Sequence, residues 1–214
     1  MNRCREISRS SMQWFRKEVM NWGQDNFYRF PWRFAKNKWH CLVAEIMLQR
    51  TRAEQVEPVY VKFTDRYKNP QDYLVDLGMN VFTNLGLPER ERQFLLLNKI
   101  INENGIPDKK DDLLKLPGIG DYIASAFLSL HLGIRAFLID SNVVRLYGRF
   151  FGFATDSETR RKKWFREFAD KMTPSRNHRT YNYALIDFSR QICKSRPECQ
   201  ICPIRKRCSY RNGG

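Results

Sequence analysis

Long apolar runs, strand-like patterns and internal repeats are missing from this sequence of 214 residues. No uninterrupted apolar run reaches the ~20 residues that a helix needs to cross a bilayer, which excludes a membrane-spanning protein. The first residues are polar and predict an amphipathic helix where a signal peptide would be apolar. No low-complexity tract or obvious linker interrupts the chain. We therefore expect a globular, cytoplasmic protein.

Acidic residues are too few to balance the basic ones. The chain has 23 Asp and Glu against 38 Lys and Arg, a formal net charge of +15. Such an excess gives the surface a positive potential that attracts a polyanion, so nucleic acid is the leading partner and we expect association with the nucleoid. Histidine is also scarce, with only His40, His131 and His178 in the sequence. The spacing of these three residues completes no metal site.

Apolar residues recur at intervals of three and four over most of the chain, and this periodicity predicts helices of about 10 to 16 residues. Gly and Pro mark the boundaries between them. The clearest stripes are Met12, Phe15, Val19 and Trp22; Val56, Val59, Tyr60 and Phe63; Phe94, Leu95, Leu97 and Ile100; Trp164, Phe165, Phe168 and Met172; and Tyr181, Tyr183, Leu185 and Phe188. The sequence therefore predicts an all-α fold.

A glycine-rich turn lies in the middle of the chain, where Leu116-Pro117-Gly118-Ile119-Gly120 separates a short helix from a longer one that begins near Asp121. Glycines let a backbone approach a ligand closely, and amides at the start of a helix carry partial positive charge that suits a phosphate. The alternative is a simple helix-terminating turn. On a chain this basic, we favour a helix-hairpin-helix in which Leu116, Gly118 and Gly120 contact the DNA backbone.

The segment after the hairpin is apolar from Tyr122 to Leu132, so this helix should be buried. Asp140 follows a further apolar run and precedes a helical pattern that begins at Ser141. An Asp in this place is typically a helix N-cap. Capping and catalysis by one carboxylate are compatible, so both interpretations of Asp140 stay open.

Four of the six cysteines crowd into the C-terminal segment, with the spacing C-x5-C-x2-C-x5-C at Cys193, Cys199, Cys202 and Cys208. Four thiolates this close can hold a [4Fe-4S] cluster, and Cys202 is followed by Pro as in compact cluster motifs. A structural zinc ion is the alternative. Basic residues surround these cysteines and should present charge to a DNA backbone. Cys4 and Cys41 are expected to be ordinary thiols.

Taken together, these motifs resemble the helix-hairpin-helix DNA glycosylases with the Gly/Pro-Asp signature, the superfamily of endonuclease III and the MutY adenine glycosylases. The resemblance extends over nearly the whole chain and includes Phe30-Pro31-Trp32-Arg33 and the segment 44–51. It implies two helical lobes, residues 25–139 with the hairpin and residues 1–24 plus 140–214 with the cluster loop. It also implies a monomer that holds double-stranded DNA with a mismatched or damaged base across the cleft between the lobes.

The resemblance also implies a [4Fe-4S] cluster at the four C-terminal cysteines. The family pattern has six residues between the first two cysteines and this chain has five. A loop can absorb a deletion of one residue, so we expect the cluster and assign it a structural and electrostatic role.

The resemblance assigns roles to individual residues. Tyr122 stands where endonuclease III-type enzymes place a lysine and MutY-type enzymes a serine, and a tyrosine there is similar to the Mig-type thymine glycosylases that act on G·T mismatches. Glu45 matches the catalytic glutamate of MutY-type enzymes. Gln49 and Arg50 fall where the family places its wedge and orphan-base contacts, and Leu87 is a second insertion point. A surface pair of Glu45 with Arg50 or Arg52, and a phosphate contact by Arg50, are the alternatives.

Hydrolysis of an N-glycosidic bond passes through a sugar with oxocarbenium character, which a carboxylate at Asp140 can stabilise. A lysine amine could form a Schiff base with the sugar, but the phenol of Tyr122 cannot. Glu45 lies in a largely apolar helix and could protonate the departing base. The phenol of Tyr122 predicts a monofunctional glycosylase, and the resemblance to Mig-type enzymes implies that its substrate is thymine or uracil opposite guanine.

Two other functions stay open at this point. One is adenine excision as in MutY-type enzymes, although those usually carry a further C-terminal domain and this chain ends six residues after Cys208. The other is a non-catalytic iron-sulfur protein that binds DNA.

Overall fold

The structure is a computed structural model, and it describes residues 7–76, 81–84 and 89–213. In this part of the chain the regular structure is helical throughout, which confirms the all-α prediction. No helix there combines the length and the apolar character that crossing a membrane would require.

The α-helices are numbered in chain order: α1 Arg9–Asp25, α2 Lys38–Met47, α3 Ala53–Arg66, α4 Pro70–Asp76, α5 Val81–Asn84, α6 Glu89–Asn104, α7 Lys110–Leu113, α8 Asp121–Ala126, α9 Ser141–Phe151, α10 Lys163–Met172, α11 His178–Gln191 and α12 Ser209–Asn212. A π-helix, Phe127–His131, continues directly from α8. Short 3-10 turns lie at Pro31–Arg33, Thr159–Arg161 and Arg205–Arg207.

Two compact units make up the fold. One, the hairpin unit, is Arg29–Ile134 and contains α2 to α8 with the π-helix. The other, the terminal unit, joins the described part of Met1–Tyr28 to Arg135–Gly214 and contains α1 with α9 to α12. Each unit buries its own apolar residues, so each can be described by itself.

The hairpin unit is built around aromatic side chains from α3, α4 and α6. Phe63, Tyr73 and Phe94 are buried, and the ring centroids of Tyr73 and Phe94 lie 5.0 Å apart. Helix α2 begins where the side chain of Asn37 accepts hydrogen bonds from the amides of Trp39 and His40. Its residues are then almost all buried, as expected for a helix that is apolar on most of its surface.

The terminal unit packs α1 against α11 and α9 against α11. Its core contains Phe15, Tyr147, Tyr181 and Phe188, all fully or almost fully buried. The hydroxyls of Tyr147 and Tyr181 lie 2.7 Å apart and satisfy each other inside this core, as buried polar groups must. The apolar stripes of the sequence thus predict which faces of α1 and α11 meet.

Candidate active site

The glycine-rich turn joins α7 to α8, and it has the helix-hairpin-helix arrangement that the sequence predicts. Gly118 has φ +74°, a left-handed conformation that favours glycine. Gly120 has φ −98° and precedes α8, and a Cβ added there would meet no atom within 4 Å. Neither backbone strain nor internal packing therefore requires glycine at position 120. Its open side leaves room for a partner to approach the backbone.

Charged side chains stabilise the hairpin from within. The ammonium of Lys110 lies 2.9 Å from Oδ1 of Asp121 and donates a hydrogen bond of 2.8 Å to Oγ of Ser125. This contact joins α7 to the first and second turns of α8. It also compensates the negative charge of Asp121 at the start of a helix that we expect to face phosphate.

Glu45 is buried in α2 and forms an ion pair with His131. Its Oε1 lies 2.8 Å from Nε2 of His131, and only 4% and 1% of the two side chains are exposed. The surface pair of Glu45 with Arg50 or Arg52 considered above is therefore absent, because the carboxylate is turned into the unit and meets a histidine. His131 reaches it from the end of the π-helix Phe127–His131.

The ion pair controls the charge of the histidine. Burial lowers the pKa of His131, but the interactions with Glu45 and Cys41 outweigh it and raise the pKa to about 9. The raised pKa favours the imidazolium form of His131 at neutral pH. Its Nδ1 is buried and finds no hydrogen-bond partner in the described residues. Tyr60 of α3 also interacts with Glu45, and burial raises the pKa of its phenol.

Asp140 is the N-cap of α9, as the sequence predicts. Its Oδ1 accepts a hydrogen bond of 2.7 Å from the amide of Val143, and its Oδ2 accepts one of 2.9 Å from the side chain of Asn142. The residue is half-buried, so its carboxylate is fixed in direction without being enclosed in the core. Arg145 lies one turn further along α9 and donates to Asn142 Oδ1, which stabilises this arrangement.

The other predicted residues that the structure describes in the hairpin unit lie in the first turn of α8, in the turn after α2 and at the hairpin. Tyr122 is half-buried in the first turn of α8. Arg50 is exposed in the turn after α2 with φ +64°, an uncommon conformation for a residue with a side chain. Gln49 precedes it, and its carbonyl accepts a hydrogen bond of 2.9 Å from Arg90. Leu116 is 9% exposed at the hairpin, and Leu87 lies outside the described residues.

Cys193, Cys199, Cys202 and Cys208 all line one cavity in the terminal unit. Apolar side chains from α9 and α11 form its wall, and Arg149 places Nη1 3.7 Å from Sγ of Cys193. Burial raises the pKa of the Cys193 and Cys208 thiols and raises that of Cys202 to about 11. Across residues 7–76, 81–84 and 89–213, no group of three or more His, Cys, Asp or Glu side chains is placed to hold a metal ion.

The structure thus brings Glu45 together with a residue that the sequence analysis left unassigned. His131 was one of three histidines without a metal-site spacing, and the only hint of its role was a basic side chain inside an apolar segment. Glu45 and Tyr122 belong to the hairpin unit and Asp140 belongs to the terminal unit. Their action on one DNA duplex stays a prediction.

Comparisons with known proteins agree with this architecture. The family model of the helix-hairpin-helix motif matches residues 103–130, which contain α7, the glycine turn and α8. The thymine/uracil-DNA glycosylase of Methanothermobacter thermautotrophicus is 34% identical over 189 residues, which cover 85% of this chain and 86% of that protein. A thermostable thymine-DNA glycosylase of known structure superposes with a TM-score of 0.88 at 30% identity, over 96% of this chain and 98% of that one.

Adenine glycosylases are also similar to this chain, but over a smaller share of their length. The adenine DNA glycosylase of Buchnera aphidicola subsp. Baizongia pistaciae is 34% identical over 208 residues, which cover 92% of this chain and 59% of that protein. These two relatives are therefore equally identical to this chain, but the matched region covers a larger share of the thymine/uracil enzyme than of the adenine enzyme.

Proposed function

The chain belongs to the thymine/uracil-DNA glycosylase family, and from this premise we propose that it excises thymine and uracil mispaired with guanine in double-stranded DNA. It is a DNA N-glycosylase, a hydrolase that cuts the bond between a base and its deoxyribose. The observation that carries the proposed substrate is the match to a thymine/uracil enzyme along nearly its whole length. The adenine alternative has less support, since the adenine enzyme extends well beyond the matched region.

We assign the stabilisation of the reacting sugar to Asp140. As the bond to the base breaks, positive charge develops on the deoxyribose, and a fixed carboxylate stabilises it and can orient the attacking water. The two cap hydrogen bonds hold the carboxylate in one direction before substrate arrives. Preorganisation of this kind is what makes an electrostatic contribution large, because no reorganisation is needed during the reaction.

The side chain at position 122 decides what happens after the base leaves. A primary amine there could attack C1′ of the sugar, form a Schiff base and lead to strand cleavage. Tyr122 carries a phenol, which cannot form an imine. We therefore assign a monofunctional reaction whose product is an intact abasic site, with Tyr122 shaping the pocket around base or sugar.

The hairpin is proposed to bind the DNA backbone. Gly120 leaves the start of α8 open, and a phosphate can approach amides that carry partial positive charge. Gln49 and Arg50 follow α2 in an exposed turn, where a side chain can enter the gap left by an extruded base. The phosphate contacts of the hairpin are independent of base identity, so they supply affinity, and the pocket supplies selectivity.

We propose that the four C-terminal cysteines hold a [4Fe-4S] cluster. Zinc binds sulfur at about 2.3 Å, so four zinc ligands would crowd within roughly 4 Å of one another. The four thiols line a common cavity without forming such a compact group. A cube of four irons takes one thiolate on each iron, which matches the four cysteines that line this cavity. When bound, the cluster would stabilise the C-terminal loop and present its basic residues to DNA.

The cluster assignment is tested by metal analysis of the purified protein. We expect about four irons and four sulfides per chain. Cys199→Ser should lower both, and Cys41→Ser, which changes a thiol of the hairpin unit, should leave both unchanged. Stoichiometric zinc without iron would contradict the assignment.

The glycosylase proposal is tested with duplexes that contain G·T, G·U or adenine opposite oxidised guanine. After incubation with the protein, hot alkali breaks the strand wherever a base has been removed. We expect breaks at thymine and uracil and none at adenine. Breakage at adenine alone would favour the MutY-type alternative, and breakage of no duplex would favour a DNA-binding protein without catalysis.

The same assay tests the assignment of Tyr122. The parent should give breaks only after alkali, and borohydride should trap no covalent complex. Tyr122→Lys supplies the missing amine and should yield a trapped complex and breaks without alkali. Tyr122→Phe is the matched control and should yield neither. A trapped complex with the parent protein would contradict the monofunctional reaction.

A further inference from the structure

His131 and Glu45 form a deeply buried ion pair in the hairpin unit. Burying two charged groups is costly unless each compensates the other, so the pair is stable only while both partners are present. The imidazolium of His131 therefore favours the carboxylate form of Glu45. A carboxylate accepts hydrogen bonds and cannot donate one.

The geometry also fixes which oxygen of Glu45 is free. Oε1 is held by Nε2 of His131 at 2.8 Å. Within the part of the chain that the structure describes, the Glu45 side chain makes no other hydrogen bond or ion pair. Oε2 thus stays available as an acceptor, and 4% of the side chain is still exposed.

We propose that His131 is a positioning residue for Glu45, which it holds as a fixed carboxylate whose second oxygen accepts a hydrogen bond from the imide N–H of a flipped thymine or uracil. This proposal rests on the proposed function and names the chemical feature that the pocket selects. Thymine and uracil carry an imide N–H between two carbonyl groups, whereas adenine has no such group. It replaces the general acid that the sequence analysis predicted for Glu45 by an acceptor, because Oε1 already lies 2.8 Å from Nε2 of His131.

The π-helix explains how the chain places His131 on Glu45. A π-helix shifts the residues that follow it around the helix axis, and such segments occur frequently at functional sites. Here the shift falls on Phe127–His131, directly after α8, and its last residue meets α2. The ring of Phe127 lies 6.3 Å from that of His131 and packs along the same segment.

A comparison of pH profiles separates the acceptor from a general acid. In His131→Gln the amide can still donate to Oε1, but the positive charge is gone, and burial then favours the neutral form of the carboxyl. We expect single-turnover excision of uracil from G·U by His131→Gln to be at least tenfold slower than the parent at pH 6. The variant should recover toward the parent as the pH rises to 8.5, because ionisation restores the acceptor. The parent should change little over this range.

Two other profiles would overturn the proposal. A variant rate that falls as the pH rises indicates a general acid at Glu45, and a variant rate equal to the parent at every pH indicates that the pair is only structural. Binding of an uncleavable duplex should be unchanged within about twofold, so the effect is on the reaction.

Other titratable side chains lie next to the Glu45–His131 pair, and their contribution to the pH profile requires a control variant. Cys41 of α2 and Tyr60 of α3 both interact with it, and the raised pKa of Tyr60 keeps that phenol neutral in this range. Cys41→Ala removes the thiol and should keep a profile like that of the parent. If Cys41→Ala reproduces the His131→Gln profile, the thiol and not the histidine is responsible, and the proposal is wrong.

A measurement on the parent does not depend on activity. In protein labelled with 15N-histidine, the ring nitrogens report the charge of each imidazole. We expect one of the three rings, assigned by its loss in His131→Gln, to stay an imidazolium through pH 8. A neutral His131 ring at pH 7 would refute the pair even if the glycosylase assay succeeds. A failed glycosylase assay with an intact imidazolium would instead refute the proposed function.

Discussion

At the scale of single residues, the carboxylate of Asp140 combines two tasks that share one geometry. Capping requires an oxygen aimed at the amide of Val143, and this requirement fixes the whole carboxyl group at the start of α9. A group so fixed can also act on a substrate without reorganising. The helix cap and the catalytic carboxylate considered in the sequence analysis are therefore compatible interpretations of the same side chain.

Substitution of Asp140 by Asn separates the two tasks. Asparagine caps helices about as well as aspartate, so we expect the free energy of unfolding to change by only a few tenths of a kcal/mol. The negative charge is lost, and single-turnover excision should slow by at least ~100-fold, the scale typical for removal of one electrostatic stabiliser. Asp156→Asn removes an exposed carboxylate of the same unit and is the control. Equal rates for parent and Asp140→Asn would remove this residue from the mechanism.

The pair of His131 and Glu45 predicts how stability depends on pH. The pKa of His131 rises from 6.5 to about 9 on folding, so its contribution is complete below pH 6.5 and is lost as the pH rises through about 9. A shift of this size corresponds to at most about 3 kcal/mol. Urea unfolding should show the stability of the parent falling toward that of His131→Gln over this range. A difference between the two proteins that is independent of pH would contradict the assignment.

At the scale of elements, the two glycines of the hairpin differ in their structural requirements: Gly118 has a positive φ, and Gly120 borders open space. Gly118→Ala places a side chain at φ +74° and should lower the free energy of unfolding by about 1 to 2 kcal/mol. Gly120→Ala meets no neighbour and should cost less than Gly118→Ala, at most about 1 kcal/mol, because alanine is a poorer N-cap than glycine. Its methyl group lies where we expect phosphate to approach, so affinity for duplex DNA should fall several-fold. Unchanged affinity would show that the hairpin does not bind the backbone through this residue.

The elements themselves could be predicted from the sequence to a large extent. Apolar periodicity indicated α1, α3, α6, α10 and α11, because each of these helices buries one face. The turn at Gly118 and the cap at Asp140 followed from local chemistry alone. Local sequence could not predict the π-helix Phe127–His131, since a shift of register depends on packing against α2. For the same reason the partner of Glu45, 86 residues away in sequence, remained hidden.

At the scale of the whole molecule, the net charge of +15 can bind DNA only through basic side chains that are free to contact phosphate. Several basic residues of the C-terminal segment are already engaged within the protein. Lys194 pairs with Glu198 at 2.7 Å, and the guanidinium of Arg207 lies 4.6 Å from the centroid of the Trp14 ring. Arg196 is exposed and makes no side-chain contact of this kind in the residues that the structure describes. Like Lys206 and Arg211, it is therefore a candidate in this segment for a phosphate contact.

The salt dependence of DNA binding tests this assignment. Each phosphate that a protein neutralises contributes a slope of about −0.9 to log affinity against log salt concentration. Arg196→Ala should make the slope shallower by about 0.9 on duplexes of any sequence, because phosphate contacts carry no base information. Arg160→Ala removes the same charge from an exposed 3-10 turn of the same unit and should leave the slope unchanged. If Arg196→Ala and Arg160→Ala give equal slopes, Arg196 contributes no more to DNA binding than a charge remote from the DNA. That result would show that Arg196 does not contact a phosphate.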